Sequence, residues 1–163
     1  MSIIGFGIHD HAHCIASAIR AAEACCAREK LQFTKTRRRV LEILLSQHKA
    51  LGAYEILDQL AAEGQNAQPP VAYRALDFLV SNGFAHKVEK LNAYVACSHP
   101  GAEHAPAFMI CRGCNAVLEA CLDTASRAPK GMFGGAAQAA GFRIETAVIE
   151  ASGLCPACQS SAA

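Results

Sequence analysis

Apolar residues in the first half of the chain recur at intervals of three and four positions, which is the spacing of one face of an α-helix. Thr34 suits the cap before one such pattern, and Pro69 and Pro70 suit the first turn of another. An Ala-rich stretch precedes these patterns and also favours a helix. The predicted helices cover residues 10–29, 35–47, a stretch that follows LGAY (51–54), and 69–83.

The pattern changes after Asn82 and Gly83, a pair that ends the fourth helix. Two short runs, FAHKVEK and AYVAC, flank the residues LNA and predict a β-hairpin. Helices followed by a two-stranded wing are typical of a winged helix-turn-helix domain, whereas the alternative is an ordinary small α/β core. Tyr73 and Arg74 lie on a second stripe of the fourth helix, away from its apolar stripe. The order of elements favours the DNA-binding alternative.

Composition changes again from about His99 onwards. AFMIC and AVLEA predict paired strands, and residues 122–140 predict a helix that KGMFGG interrupts. FRIETAVIEA alternates between apolar and polar residues from Phe142 onwards and predicts one further strand. The chain is therefore predicted to be α+β, with an N-terminal winged helix-turn-helix domain over residues 1–98 and a small α/β domain over residues 99–163.

Bulk composition restricts the class of protein. The chain has 163 residues, of which 52% are hydrophobic, so it can bury a core. Nine cysteines are an odd number, and the start MSIIGFGIHDHAHC has no basic leader, so a secreted disulfide framework is not expected. No apolar run reaches the roughly 18 residues of a membrane span. We expect a cytoplasmic protein with reduced thiols and no membrane partner.

Net charge alone gives no indication of nucleic acid, since it is only +1. Basic residues are nevertheless concentrated in one segment of ten positions. Such a run is usually a solvated helix face, so its meaning depends on the fold around it. The run comprises Lys30, Lys35, Arg37, Arg38 and Arg39.

Two pairs of cysteines, each with a two-residue gap, form the strongest chemical signal. Four thiolates in a tetrahedron suit Zn²⁺, so the pairs predict one closed structural site. The alternative for CPAC is a redox dithiol, which needs a helix beginning at its first cysteine. Only QSSAA follows the last cysteine, so we expect no helix there and favour zinc. The four ligands are Cys111, Cys114, Cys155 and Cys158.

Glu119 is a hard oxygen ligand that the four-cysteine site does not use. His86 shares a predicted strand face with Phe84 and Val88, and Cys97 ends the hairpin. One thiolate, two imidazoles and a carboxylate would form a second tetrahedral zinc site, with ligands from both predicted domains, as a sensor requires. The candidates for this site besides Glu119 are His86, Cys97, His99, Glu103 and His104.

The remaining cysteines and histidines carry weaker signals. HDHAHC, with His9, His11, His13 and Cys14, could bind metal weakly, but a solvated chain end is the expected interpretation. Three other cysteines are expected to be small buried residues. These are Cys25, Cys26 and Cys121.

An enzyme is not expected. A zinc deaminase needs His-x-Glu ahead of Pro-Cys-x-x-Cys, and neither element occurs. A hydrolytic zinc site needs an open position for water, whereas four protein ligands fill the second site. No small-molecule substrate is therefore expected.

Three stretches together resemble one known family. PPVAYRALDFLVSNGFAHKVE is similar to a recognition helix and wing, AYVACSHPGAEHAPAFMICRGCNAVLEA to a zinc-sensing segment, and VIEASGLCPAC to a closing cysteine pair. Together they resemble the ferric uptake regulator family of bacterial metal-sensing repressors. The resemblance covers residues 15–158 and is greatest for the zinc-responsive members.

This resemblance implies a homodimer, joined through the C-terminal domain, that binds operator DNA when loaded with zinc and controls zinc uptake genes. It implies two zinc ions per chain, one at the four cysteines and a regulatory one. The regulatory ligands would be His86, Cys97, His104 and Glu119. The DNA contacts would be Lys35, Arg37 and Arg38 at phosphates, Tyr73 and Arg74 at bases, and Tyr54.

Some positions depart from the family pattern. Thr36 stands where Gln is usual, and Val71 and Ala72 stand where Thr-Val is usual. The His-rich run that precedes the first cysteine pair in iron sensors is replaced by HPGAEHAPAFMIC. This replacement favours zinc, as does the soft thiolate of Cys97. An iron-, manganese- or peroxide-responsive regulator of the same family remains the alternative.

Overall fold

The computed structural model describes residues 11–47, 49–65, 68–100, 106–121, 129–145 and 147–160. These residues form two compact units, one that extends to residue 100 and one that starts at residue 106. Helices dominate the first unit and a sheet dominates the second, so the predicted α+β class is confirmed. Among the described residues, none of the helices combines the length and apolar character that a membrane span requires.

Four helices build most of the N-terminal unit, close to the predicted positions. The Thr34 hydroxyl accepts a hydrogen bond from the N–H of Arg37, which caps the second helix as expected. Glu55 accepts one from the N–H of Gly52 at 2.8 Å and stabilises the start of the third. The helices are α1 (His11–Arg28), α2 (Lys35–Leu45), α3 (Ala53–Ala62) and α4 (Pro69–Ser81).

The predicted hairpin follows α4 directly. Strands β1 (Ala85–Val88) and β2 (Ala93–Ala96) pair antiparallel, and a short 3₁₀ turn joins them. The turn ends at Asn92, whose φ of 47° is left-handed, a conformation that Asn tolerates better than most residues. Leu51 and Tyr94 exchange backbone hydrogen bonds of 2.9 and 2.8 Å, which join the loop before α3 to the hairpin. The order of helices and wing is confirmed.

The core of this unit lies among all four helices and the wing. Leu76 and Leu79 of α4 are fully buried, and they pack in one cluster with Ile56 of α3 and Phe84 before β1. Val80 is apolar and follows Leu79 directly, but 37% of its surface is exposed. The buried stripe of α4 follows positions 72, 75, 76 and 79, and Val80 lies at the edge of that stripe, one turn beyond Leu76.

Leu76→Ala is expected to destabilise the N-terminal unit by about 2–5 kcal/mol, because it removes a buried side chain and leaves a cavity. Urea denaturation followed by circular dichroism measures the shift in midpoint. Val80→Ala on the same helix is the control, and we expect it to shift the midpoint much less, since Val80 is partly exposed. Equal shifts for the two variants would contradict this description of the core.

A three-stranded sheet of order β4-β3-β5 forms the centre of the C-terminal unit. Strand β3 (Pro106–Cys111) pairs antiparallel with β4 (Val117–Cys121), as predicted, and parallel with β5 (Ile149–Gly153). A parallel pair needs a long connection between its strands, and helix α5 (Pro129–Ala140) lies within it. A short helix, α6 (Pro156–Ser160), follows β5.

Two predictions in this unit were wrong. KGMFGG does not interrupt a helix, because α5 runs through it. The strand expected from Phe142 begins only at Ile149, where β3 offers a partner in Ala107. Gly141 ends α5 with a left-handed φ of 65°, and the side chain of Phe142 beyond it is exposed. Alternation of apolar and polar residues gives a strand only where a neighbouring strand is available for pairing.

Candidate metal centres and nucleic-acid interface

Parallel pairing of β3 and β5 brings the two cysteine pairs to the same end of the sheet. Cys111 ends β3 opposite Gly153, and Cys155 follows β5 two residues later. Ligand atoms of all four cysteines lie within 4.8 Å of one another, and the sulfurs of Cys114 and Cys155 are 3.7 Å apart. Zinc–sulfur bonds of about 2.3 Å in a tetrahedron require sulfurs about 3.8 Å apart, so this donor set fits zinc.

A tight turn shapes the first pair. Asn115 adopts a left-handed φ of 58°, and its N–H donates to the carbonyl of Cys111 at 2.9 Å. The N–H of Cys111 donates in turn to the carbonyl of Ala116 at 2.9 Å. These bonds fold the chain back between β3 and β4, which points both sulfurs of the pair towards the same space.

Electrostatics within the cluster favour a bound cation. The N–H of Cys155 donates to the Cys111 sulfur at 3.2 Å, and this bond is the main reason that the pKa of Cys111 falls to about 6. Hydrogen bonding with Cys155, Cys111 and Cys114 raises the pKa of Cys158 to about 12. Four close thiols resist full ionisation because their charges repel, and a divalent cation removes that penalty.

The expectation that no helix begins at CPAC was wrong. Helix α6 does begin directly after Cys155, and the N–H of Gln159 donates to the Cys155 carbonyl at 2.9 Å. Cys155 is nevertheless buried, whereas reactive redox cysteines are partly exposed. Its sulfur also lies among three others, which a dithiol does not require. The four-sulfur arrangement therefore favours metal binding.

A second pair of candidate ligands lies in the wing of the N-terminal unit. His86 is on β1 opposite Val95, and the N–H of Cys97 donates to the carbonyl of Phe84 at 2.9 Å. A ring nitrogen of His86 and the buried sulfur of Cys97 lie within 4.8 Å of each other. The N–H of His99 donates to that sulfur at 3.4 Å. The hairpin thus holds an imidazole and a cysteine sulfur side by side.

Glu119 lies in the C-terminal unit, on β4 opposite Phe108. It is the only charged side chain that is buried among the described residues. A buried carboxylate is costly unless it is paired or coordinates a metal. Glu103 and His104 lie outside the described residues, whereas His99 is half-buried with Nδ1 3.1 Å from the Ser98 hydroxyl.

Other predicted thiol and imidazole positions are described only in part. Cys26 is buried and Cys25 is half-buried in α1, close to the expectation for both. Cys121 ends β4, but its side chain lies outside the description, as do His9 and the side chains of His11, His13 and Cys14. The HDHAHC cluster stays a prediction.

The exposed face of α4 carries the residues that were expected to read bases. Tyr73 and Arg74 are exposed, and Asp77 follows them on the same side of the helix. Tyr54 on α3 is 68% exposed, and Lys35 is exposed in the first turn of α2. Helix-turn-helix domains insert the exposed polar face of one helix into a DNA major groove, and the other helices support that helix.

The basic run on α2 is held by contacts that sequence reasoning missed. Arg37 stacks on the ring of Phe78, with its guanidinium carbon 3.7 Å from the ring centroid, and it donates to the Gln32 carbonyl. Arg38 pairs with Glu23 and with Glu42. The Arg38–Glu42 pair has the i,i+4 spacing that a sequence can indicate. The contacts to Phe78 and Glu23 depend on how the helices pack.

Arg39, the last residue of the run, joins α2 to the end of α3. Its guanidinium donates two hydrogen bonds to Glu63, at 2.8 and 2.6 Å, and one to Glu42 at 2.9 Å. These bonds, above all those to Glu63, raise the pKa of Arg39 above its usual value. Arg39 is therefore better suited to bracing the helices than to contacting another molecule.

Comparison with known proteins identifies the relatives of this chain. The sequence pattern of the Ferric uptake regulator family matches residues 28–150. The Zinc uptake regulation protein of Escherichia coli (strain K12) is 41% identical over 138 residues, which are 84% of this chain and 78% of that protein. The protein of the same name from Shigella flexneri matches to the same extent.

Solved structures agree with the sequence match. A zinc uptake regulator in complex with zinc and DNA superposes with a TM-score of 0.83 at 38% identity, over 91% of this chain and 97% of that one. Holo XcZur superposes with a TM-score of 0.77 at 37% identity, over 88% of this chain and 98% of that one.

Proposed function

Since the chain belongs to the ferric uptake regulator family, we propose that it is a zinc-responsive transcriptional repressor. As a zinc-loaded homodimer it binds operator DNA and controls zinc uptake genes. The observation that carries this proposal is the imidazole and thiolate pair of His86 and Cys97 in the wing, beside the helix that presents Tyr73 and Arg74. The similarity to zinc uptake regulators from two bacteria supports it.

One zinc ion per chain is structural in this proposal. Cys111, Cys114, Cys155 and Cys158 hold it, and the mutual distances of their sulfurs support the assignment. A structural zinc contributes on the order of 10 kcal/mol to folding in small domains. Here it fastens the start of α6 and the end of β5 to the turn that follows β3.

The second zinc ion is regulatory. His86 and Cys97 bind it together with His104 and Glu119, so its ligands come from both domains. The soft thiolate and the imidazoles favour zinc over iron or manganese. Binding sets the angle between the domains, so that the two reading helices of the dimer match operator half-sites about one helical turn, or a multiple of it, apart. Without zinc, ordering the domains costs part of the DNA-binding free energy.

An apolar cleft on the C-terminal unit supports the homodimer. It has a volume of about 390 Å³, and exposed Phe133 and Phe142 lie at its edge. Exposed apolar surface rimmed by polar residues marks interaction sites, and we assign this one to the second copy of the chain. The cleft is lined by Phe133, Ala136, Ala137, Ala140, Phe142, Ile144, Ala147 and Val148.

DNA binding divides between two groups of residues. Tyr73 and Arg74 read bases, as exposed residues of the recognition helix do. Phosphate contacts by Lys35, Arg37 and Arg38 and a contact by Tyr54 set the register. Because Arg37 and Arg38 already hold partners within the unit, Lys35 is the best residue for testing the phosphate contribution.

The family consists of transcriptional regulators, and we assign no catalytic activity to this chain. Repression of bacterial genes implies that the protein acts in the cytoplasm, where its thiols remain reduced.

A mobility shift on promoters of zinc uptake genes from the source bacterium tests the proposal. We expect retardation with zinc, loss of retardation after chelation, and much weaker stimulation by iron(II) or manganese(II). Retardation that is independent of metal would remove the sensing mechanism. Stimulation by iron(II) or manganese(II) at lower concentrations than zinc would favour the alternative regulators of the family.

Arg74→Ala is expected to relax base preference at one base-pair position, at a cost of about 1–3 kcal/mol for the preferred base. Lys35→Ala, the comparison variant, should weaken binding to all sequences alike and make the salt dependence shallower, since one phosphate contact is lost. Competition among single-base operator variants at several salt concentrations measures both effects. Unchanged operator preference in Arg74→Ala would show that α4 is not the reading helix.

A further inference from the structure

Gly113 lies between the first two cysteines and leaves very little space for a side chain. A Cβ added to it would be 2.9 Å from the Cys158 sulfur and 3.2 Å from the Cys158 Cβ. The nearest atom beyond these is Cδ2 of Leu154, at 3.4 Å. The Cβ of a real residue essentially never lies within 3.0 Å of a heavy atom from a distant part of the chain, so a side chain here would force Cys158 to move.

The backbone conformation at position 113 does not by itself require a glycine. The φ of Gly113 lies outside the left-handed region, so any L-residue could adopt it. Asn115 instead takes the left-handed position in this turn, with a φ of 58°. What requires glycine at position 113 is therefore the close approach of the second cysteine pair to the turn of the first.

We propose that Gly113 is a positioning residue that allows the Cys158 sulfur to close the four-sulfur zinc site. This inference rests on the structural zinc of the proposed function. A methyl group at position 113 would occupy the space next to the Cys158 sulfur, so that sulfur could not keep its present position. The fourth ligand would then bind out of position, and the site would keep three well-placed thiolates.

Strain from such a methyl group should appear only when metal is bound. Without metal, the Cys158 side chain can rotate to another staggered position at little cost. With zinc, its sulfur is restricted to about 2.3 Å from the ion, in a tetrahedral direction. Gly113→Ala should therefore lower metal affinity and leave the metal-free protein unchanged, since alanine at an ordinary φ is tolerated.

Cobalt(II) titration of the full-length protein tests this inference, because sulfur-to-cobalt charge-transfer absorption reports the number of bound thiolates. Cys97→Ala in the background removes the proposed second site. In that background, Gly113→Ala is compared with Gly153→Ala, a matched control in the same unit whose added Cβ meets nothing within 4 Å. Competition with a chromogenic chelator gives the zinc affinity, and circular dichroism compares the metal-free proteins.

We expect Gly113→Ala to bind zinc about 10–100-fold more weakly than the parent, the usual effect of disturbing groups that orient metal ligands. Its charge-transfer absorption should also be weaker, while Gly153→Ala matches the parent. Parental affinity in Gly113→Ala, equal losses in both variants, or altered metal-free structure in Gly113→Ala would each overturn the inference. If the Cys97→Ala parent itself lacks four-thiolate absorption, the structural zinc site is overturned instead. The two failures are therefore distinguishable.

Discussion

Cys111→Ser is expected to unfold the C-terminal unit and to convert the dimer into a monomer. The Cys111 sulfur accepts a hydrogen bond from the N–H of Cys155, and the N–H groups of Gly113 and Cys114 contribute further bonds. A hydroxyl is a poor zinc ligand, so three thiolates would remain, and the site would lose much of a folding contribution on the order of 10 kcal/mol.

Cys158→Ser should give the same result, because it removes a ligand from the second cysteine pair. Its sulfur belongs to α6, a helix of five residues that is too short to be stable in isolation. Loss of the ligand should free α6 from the turn after β3. The C-terminal unit would then unfold, and the apolar cleft that we assign to dimerisation would be lost with it.

Three measurements on purified protein check this result: zinc content per chain, molar mass by light scattering, and the rate of limited proteolysis of the C-terminal unit. Cys25→Ser is the matched control, because Cys25 is half-buried in α1 of the other unit and outside the cluster. We expect that control to stay dimeric with full zinc content. A Cys111→Ser protein that is dimeric and fully loaded would contradict the four-cysteine assignment.

Cys97→Ala is expected to leave a folded dimer that has lost zinc-dependent operator binding. The thiolate of Cys97 is the soft ligand of the proposed regulatory site, and the wing hydrogen bond from its N–H to Phe84 survives the substitution. Zinc content should therefore fall by about one ion per chain, since the site would lose its thiolate, one of four tetrahedral ligands. The remaining DNA binding should be weak, salt-sensitive and independent of zinc, as phosphate contacts alone provide.

His86→Ala should behave in the same way, because it removes the imidazole next to that thiolate. Glu119→Ala should have a smaller effect, since water can replace a carboxylate oxygen at zinc. Cys25→Ala serves as the control for loss of a thiol in the same unit. The measurement is a mobility shift at a series of free zinc concentrations. Zinc-stimulated binding that survives Cys97→Ala at wild-type zinc concentrations would exclude this site, and HDHAHC would become the next candidate.

The fold was largely predictable where neighbouring residues encode it. Helical spacing, the cap at Thr34 and the prolines at the start of α4 act within a few positions, so the helices and the wing could be located from the sequence. Each pair of cysteines is also a local signal, because two sulfurs separated by two residues can reach one ion whatever the rest of the chain does.

Features that join distant segments depended on the tertiary structure. Strand β5 exists only where the edge of β3 pairs with it, so the alternation that starts at Phe142 predicted it too early. The arginines of α2 became braces because Glu23, Glu63 and Phe78 approach them from other helices. Their sequence neighbours gave no indication of these partners.

Gly113 shows most clearly the difference between what neighbouring residues encode and what the tertiary structure decides. In the sequence it is one of twelve glycines, in a turn where glycine is common. Its importance appears only when β3 and β5 pair in parallel and bring Cys158 to within 2.9 Å of where a Cβ would be. The sequence by itself determined which residue types could bind zinc, because ligand chemistry belongs to the side chain. Only the tertiary structure decided how closely the two halves of the site approach, because that distance depends on packing between segments about 40 residues apart.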